Sequence, residues 1–390
     1  MQTQTQTQSK ILLDAESFAA HWDELQELRR GLGVESDVLL NPIHFLTATD
    51  DTRRSCSVAV WREAKLVGVL YATQHYLKGL ATGYGIGGDF TGRGLLLCSA
   101  ADESYVLCAA IRQLTSEGVH SLHLRLLPRG EAVAPVRGLK MKTLDAVIPG
   151  DLLPLLPDYE EFLSGLGKHT RRNIRAFTRK TELEGIEFVT LLGKLEYDLA
   201  VERLNSETDF PADPLRLARD ERLLELHGGE RLGLRDSEGT LVAVMCGFRK
   251  GGKFHLLTQL NDVKHERLSL SLVLRGYVTK YLIEEGLTCL HFMGGSSLSF
   301  GRYCQPENYR SIFVDRRNGS AAAVKMVASH VVRLMQNLGR AIPERLAVIC
   351  NGHLDDALLK ERTVLRPAAM LLSQRRAAAT NPLQRARASV

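Results

Sequence analysis

Residues 253–295, KFHLLTQLNDVKHERLSLSLVLRGYVTKYLIEEGLTCLHFMGG, change hydrophobic period twice, and those changes set the fold expected for the chain. Residues 253–260 form an apolar run of strand length that Asn261 and Asp262 break. Leu270, Leu272, Leu274, Tyr277, Val278, Tyr281 and Leu282 then recur near helical spacing until Gly286, and 287–292 reads as the next strand. A helix starting at Ser269 or Ser271 leaves its first N–H groups free, with the positive end of its dipole beside them. Two readings fit: a βαβ crossover whose serines cap the helix, or a loop that receives a phosphate.

At 390 residues the chain exceeds what one core usually supports, so two domains are expected. Its 44% apolar and 24% charged residues are those of a globular protein. No run of eighteen apolar residues occurs, and MQTQTQTQSK lacks the charged-then-apolar form of a signal peptide; no membrane span and a cytoplasmic location are expected. Seven scattered cysteines without a CxxC pair point to reduced thiols rather than a zinc site, so no metal is expected. The net charge of +5 is uneven: residues 359–390 carry seven Lys or Arg against Glu361 alone, and the rest is close to neutral. That argues against a general nucleic-acid surface.

The opening residues, 1–10, alternate Gln and Thr and are expected to be a disordered tail. A short strand at 11–13, an amphipathic helix through Phe18, Trp22, Leu25 and Leu28, and a helix or turn at 41–45 follow. Residues 56–61 and 66–73 suggest a hairpin across Arg62-Glu63-Ala64-Lys65. The region 77–94 reads as strand plus loop, 104–114 as helix, 122–127 as strand and 128–150 as irregular. Beyond it come a basic helical stretch at 159–180, a strand at 185–191, helices at 198–204 and 216–226, and a hairpin of 232–235 with 241–248.

The two halves align. EAKLVGVL at 63–70 matches EGTLVAVM at 238–245, and EGVHSLHL at 117–124 matches EGLTCLHF at 285–292. Between them Asp89-x-x-Gly92-x-Gly94 falls opposite Glu266-x-x-Ser269-x-Ser271 once gaps are allowed. The common order implies a duplicated α/β fold, with 66–73 and 241–248 as equivalent strands. The division expected is 11–150, 151–358, and a basic C-terminal helix or tail at 359–390.

The stretches FLSGLGKHTRRNIRAFTRKTELEGIEFV, LRDSEGTLVAVMCGFRKGGKFHLLTQLND and LSLSLVLRGYVTKYLIEEGLTCLHF resemble the GNAT acyltransferases, in particular the tandem FemAB-like branch of bacterial cell-envelope and polysaccharide acetyltransferases. The resemblance covers residues 158–315 well and the first half, as a degenerate GNAT-like domain, less specifically. It implies two tandem mixed-sheet domains. Where the family carries Arg/Gln-x-x-Gly-x-Gly/Ala, this chain has Glu266, Ser269 and Ser271, and an Asp and Tyr-Lys pattern found in relatives is replaced by His291 and Ser299-Phe300.

The resemblance implies acetyl-CoA or another acyl-CoA as co-substrate. Its arm would lie along 253–260, and its diphosphate would rest on Leu268, Ser269, Leu270 and Ser271, with Lys264 or Arg267 adding charge. An amine or hydroxyl of a sugar or other small cell-envelope precursor would attack the thioester directly. Tyr303 is a candidate acid for the thiolate, or a packed tyrosine; His291 is a candidate base, or a structural histidine; Asp262 is a base or a turn cap. Arg171, Arg172 and Arg175 either hold an anionic acceptor or form a solvated face. Two other functions fit: a Fem-type transferase that uses aminoacyl-tRNA, and a non-catalytic GNAT-like binding subunit.

Overall fold

The computed structural model describes residues 7–77, 79–90, 93–127, 133–208, 211–293 and 298–316. Both sheets lie in one compact unit, Met1–Asn318; the expected tail at 359–390 and the boundary at 358 fall outside the described residues.

The first half begins with β1 (Thr7–Leu12), α1 (Ala15–Ala19), α2 (Trp22–Gly31) and α3 (Pro42–Thr47). It continues through β2 (Arg53–Ser55), β3 (Ser57–Arg62), β4 (Lys65–Leu77), β5 (Leu80–Gly87) and β6 (Leu95–Cys98) to α4 (Glu103–Ser116), β7 (Ser121–Leu126) and β8 (Leu139–Pro149). The second half runs β9 (Leu152–Pro154), α5 (Tyr159–Gly165), α6 (Lys168–Leu183), β10 (Glu187–Val189), α7 (Lys194–Glu207), α8 (Pro214–His227), β11 (Glu230–Arg235), β12 (Leu241–Lys250) and β13 (Lys253–Asn261). A 3-10 turn (Val263–Leu268), α9 (Leu270–Glu284), β14 (Cys289–His291), α10 (Leu298–Gly301) and β15 (Pro306–Arg316) complete it.

The duplication is visible in the strand orders. The first sheet runs β1-β3-β4-β5-β7-β15-β8 and the second β10-β11-β12-β13-β14-β9. In each, an antiparallel hairpin leads to one parallel step: β5 with β7, pairing Ile86 with His123, and β13 with β14, pairing His255 with His291. Strands β4 and β12, the aligned pair, occupy equivalent places. The two-residue turn of the first hairpin holds Glu63 and Ala64 at φ 52° and 62°, the geometry that suits strand twist.

Three expectations need correction. Residues 7–10 are not a tail: β1 pairs with β3 from Thr7↔Arg62 to Leu12↔Ser57, because Ser9 Oγ donates to Gln113 of α4 (3.0 Å) and Ile11 packs on the first-half core. Residues 139–149 are not irregular; they form β8, the last strand of the first sheet, paired along its length with β15. The division at 150 does not separate the sheets, since β15, which follows the whole second half, lies between β7 and β8 of the first sheet. Ile312 and Val314 of β15 are buried in the first-half core, each contributing roughly 1.5–3 kcal/mol by burial. The halves are interlocked rather than strung together.

The faces of the second sheet differ. One packs α5, α6 and α9 through Phe162, Ile174, Val273, Leu274 and Val278; the other packs α7 and α8 through Tyr197, Leu204, Leu223 and Leu224.

Candidate active site

Strands β13 and β14 pair only over Lys253–His255 and Cys289–His291. Beyond His255 the strand β13 keeps its antiparallel partner β12, but among the described residues nothing pairs with its other edge. After His291 the chain stays with β9, the Phe292 N–H donating to the Asp151 carbonyl (2.9 Å), and no longer pairs with β13. The two strands therefore part into a groove. A register shift between Cys246↔Thr258 and Gly247↔Leu256 leaves Leu257 as the extra residue of a β-bulge beside it. Such bulges re-aim backbone groups at functional edges.

The groove ends at the first turn of α9. Ser269 caps that helix in the left-handed region (φ 50°, ψ 47°) without a side-chain capping bond. Its own N–H donates to Glu266 O (3.0 Å), and its carbonyl accepts from Leu272 N–H (2.8 Å) and Val273 N–H (3.2 Å). The N–H groups of Leu270 and Ser271 have no acceptor among the described residues. A 15-residue helix gives them an aligned dipole, which favours an anion. Leu268 and Leu270 are buried and anchor the turn. Glu266 lies on the exposed side.

The charged residues proposed for this loop have other partners. Lys264 Nζ lies 2.9 Å from Glu207 and Arg267 Nη2 lies 2.8 Å from Glu184, both well exposed. Asp262 caps the 3-10 turn, its carboxylate accepting from Lys264 N–H (2.7 Å) with Arg203 and His265 at 3.5 Å; this buried cap is the turn role rather than that of an accessible base.

His291 is buried where the halves meet. Arg93 Nη1 lies 3.1 Å from its Nε2, and the Met293 N–H lies 3.1 Å from its Nδ1. A neutral ring has one lone pair for these two donors and a protonated ring has none. Burial first, and the Arg93 charge next, hold its pKa well below the usual histidine value. Arg93 is also 2.8 Å from both Asp151 and Glu307, so the ring belongs to a buried polar cluster joining the halves and is not open to substrate. The equivalent His123 is buried too, which favours the structural role that the repeat allowed.

Tyr303 follows α10, whose Phe300 ring packs 6.4 Å from that of Phe292. Its hydroxyl accepts the Gly167 N–H (2.6 Å) at the start of α6 and lies 3.4 Å from Thr170 Oγ1. A Cβ on Gly167 would come within 2.8 Å of that hydroxyl, so glycine permits the approach. Burial raises the phenol pKa, but bonds from Thr170 and Gly167 and the charge of Arg302 outweigh it and hold the group below its ordinary value. Its oxygen accepts from Gly167, and its proton is directed at Thr170 Oγ1 over a long 3.4 Å contact.

Arg171, Arg172 and Arg175 do not converge on one point. Arg171 Nη1 donates to Ser164 O (3.1 Å), Arg172 Nη2 is 3.4 Å from His169 Nδ1, and Arg175 pairs with Glu160 at the surface.

The sequence reading missed Gln259 and Arg275. Gln259 Nε2 lies 3.1 Å from Ser271 O, 3.2 Å from Ser271 Oγ and 3.2 Å from Asn261 Oδ1, while its Oε1 accepts from Arg275 Nε (2.7 Å). The available signal was spacing: Ser271, Arg275, Val278 and Leu282 share one helical face, and the last two are buried.

Among the described residues the first half shows no counterpart of the loop. Its chain enters β6 instead, and a Cβ on Gly94 would stand 2.4 Å from Leu126 Cδ2 and 2.8 Å from Arg125 O. Gly92 lies outside the described residues.

Residues 168–304 match the family model described as "Acetyltransferase (GNAT) domain". No curated protein sequence matches the chain. Among solved structures, L-PGS from Bacillus licheniformis is 13% identical, with 84% of this chain and 96% of that one covered and a TM-score of 0.43. FemX is 12% identical (74% and 95% covered, TM-score 0.45). A tandem GNAT protein from the clavulanic acid biosynthesis pathway is 11% identical (80% and 99% covered, TM-score 0.48). The matched segment spans the groove, α9 and Tyr303, so this part of the chain, within two mixed sheets in tandem, is similar to a GNAT acetyltransferase domain.

Proposed function

We propose that the second half takes an acyl-CoA, acetyl-CoA first among them, and transfers its acyl group directly to an amine or hydroxyl of a small acceptor such as a sugar or cell-envelope precursor. The observation that carries this reading is the parting of β13 and β14 into a groove that ends on the free N–H groups of Leu270 and Ser271. An extended arm suits the open edge of β13, whose unpaired backbone groups can bond it as an added strand would. The diphosphate suits the helix terminus, where two N–H donors to a charged oxygen contribute roughly 1.5–3 kcal/mol each.

In this reading the chain mainly positions reactants. The free edge at the Leu257 bulge supplies N–H groups to the thioester oxygen as negative charge develops there. A neutral amine attacks the carbonyl carbon, its nitrogen gives up a proton to water, the tetrahedral intermediate collapses with cleavage of the C–S bond, the thiolate takes a proton from an acid, and that acid is reprotonated from solvent. Tyr303, with its pKa lowered and its proton held only by a long 3.4 Å contact to Thr170, is the group we assign to that proton transfer. Residues 151–316, without β15, form the catalytic sheet in this scheme, and the first half supplies its structural partner.

Isothermal titration calorimetry with CoA, acetyl-CoA and an aminoacyl-tRNA tests the reading. Saturable binding of the CoA species supports it. Binding of aminoacyl-tRNA without any CoA species would assign the site to the Fem-type donor instead.

A further inference from the structure

Arg275 projects from the second turn of α9 on the helix's inner side, half-buried, and donates from Nε to Gln259 Oε1 (2.7 Å). Its guanidinium carbon lies 5.7 Å from the centre of the Phe292 ring. Among the described residues no carboxylate lies within 4 Å of it, and its two terminal nitrogens make no hydrogen bond. A guanidinium partly removed from water without a counter-ion is costly, and burial alone pushes this one down to about 10. The position is otherwise one for an apolar residue, since Val278 and Leu282 continue the same face into the core.

Gln259 connects this cation to the helix terminus. Its Oε1 takes the Arg275 Nε–H while its Nε2 faces the carbonyl and hydroxyl of Ser271 (3.1 and 3.2 Å). The guanidinium therefore stands one side chain away from the unbonded N–H groups of Leu270 and Ser271. Lys264 and Arg267, the cations nearest in sequence, point to Glu207 and Glu184.

We propose that Arg275, held in place by Gln259, is the cation that pairs with the donor's diphosphate in the groove between β13 and β14. The assignment rests on the acyl-CoA reading and adds a binding residue to it. The two N–H groups of the helix terminus fix one phosphate oxygen by direction. The guanidinium supplies the full charge that backbone dipoles lack and presents terminal N–H groups suited to a phosphate.

The experiment measures dephospho-CoA binding by calorimetry to the full chain and to R275M, R275K and the double variant K264A/R267A, with thermal unfolding recorded for each. R275M is expected to bind at least tenfold more weakly while melting no lower than wild type, because an unpaired cation leaves a largely apolar face. R275K keeps the charge but not the planar fork and is expected to fall between wild type and R275M, while K264A/R267A stays within about threefold of wild type. Wild-type affinity in R275M overturns the proposal. So does an equal loss in R275M and R275K, which would show that only the shape of the Gln259 contact matters. Should R275M not fold, R275Q takes its place under the same criteria. If wild-type protein binds no CoA species, the donor reading itself fails; if it binds and R275M binds equally well, only the role of Arg275 does.

Discussion

Placing a carboxylate at the second residue of α9 should separate the site from the fold, because the two respond with opposite sign. In Ser271→Asp the new charge lies at the positive end of a 15-residue helix, where an anion stabilises by about 0.3–1 kcal/mol. The same charge faces an incoming diphosphate. At about 5 Å and an effective dielectric constant of about 20, each pair of like charges repels by roughly 3 kcal/mol; in fully exposed surroundings this falls to roughly 0.8 kcal/mol. Ser271 is half-buried, so the real value lies between, and acyl-CoA affinity should drop tenfold or more. Ser271→Asn, similar in size but neutral, can still meet Gln259 and should bind within a few-fold of wild type. Calorimetry with acetyl-CoA and thermal unfolding of all three proteins provide the readout. Equal affinities in the Asp and Asn variants would refute the reasoning, and a lower melting temperature in the Asp variant would show that the damage is to the fold.

Other consequences are equally direct. Ile312→Ala in β15 should destabilise by roughly 2–5 kcal/mol, and a fragment ending at residue 305 should leave the first half unable to fold; native-like circular dichroism from that fragment would contradict the interlocked sheets. Gly94→Ala should destabilise by roughly 1–3 kcal/mol in chemical denaturation, because its Cβ meets the Arg125 carbonyl as well as Leu126. Burial presses His255 down to about 3 and His227 down to about 4, whereas the unfolded chain takes up these protons near pH 6.5. This part of the stability is therefore complete above about pH 6.5 and is lost as pH falls toward the folded values, by up to about 1.4 kcal/mol per unit for each group. Denaturation midpoints at pH 7.5, 6 and 5 should fall, and His255→Leu should flatten the trend; an unchanged slope would remove His255 from the explanation.

The second-half core was legible because its elements change period within short windows. The strand at 253–260, the helix behind it and the hairpin at 232–248 each carry their own local signal, and the structure places them within a few residues. Strand β8 was not legible for a physical reason. Leu144 and Val147 are 47% and 70% exposed, and its partner β15 begins more than 150 residues later, so neither alternation nor turn chemistry marked it. The return of β15 to the first sheet is likewise a long-range fact. At the site, the sequence marked the turn before α9 that we propose receives the anion, together with the charges written near it. Lys264 and Arg267 were close in sequence yet committed to carboxylates, whereas Arg275 lay a turn further on, among leucines. Asp262 and His291 show the same limit from the other side: residue type allowed chemistry that their buried contacts oppose.

The central claim is that the groove between β13 and β14, closed by the first turn of α9, holds the acyl donor. Hydrogen exchange followed by mass spectrometry, with and without saturating acetyl-CoA, tests it most directly. The account predicts slower exchange in 256–261 and 268–273, and unchanged exchange in the first-half region 81–98. Protection of that first-half region, or none in either second-half segment at saturation, would contradict it.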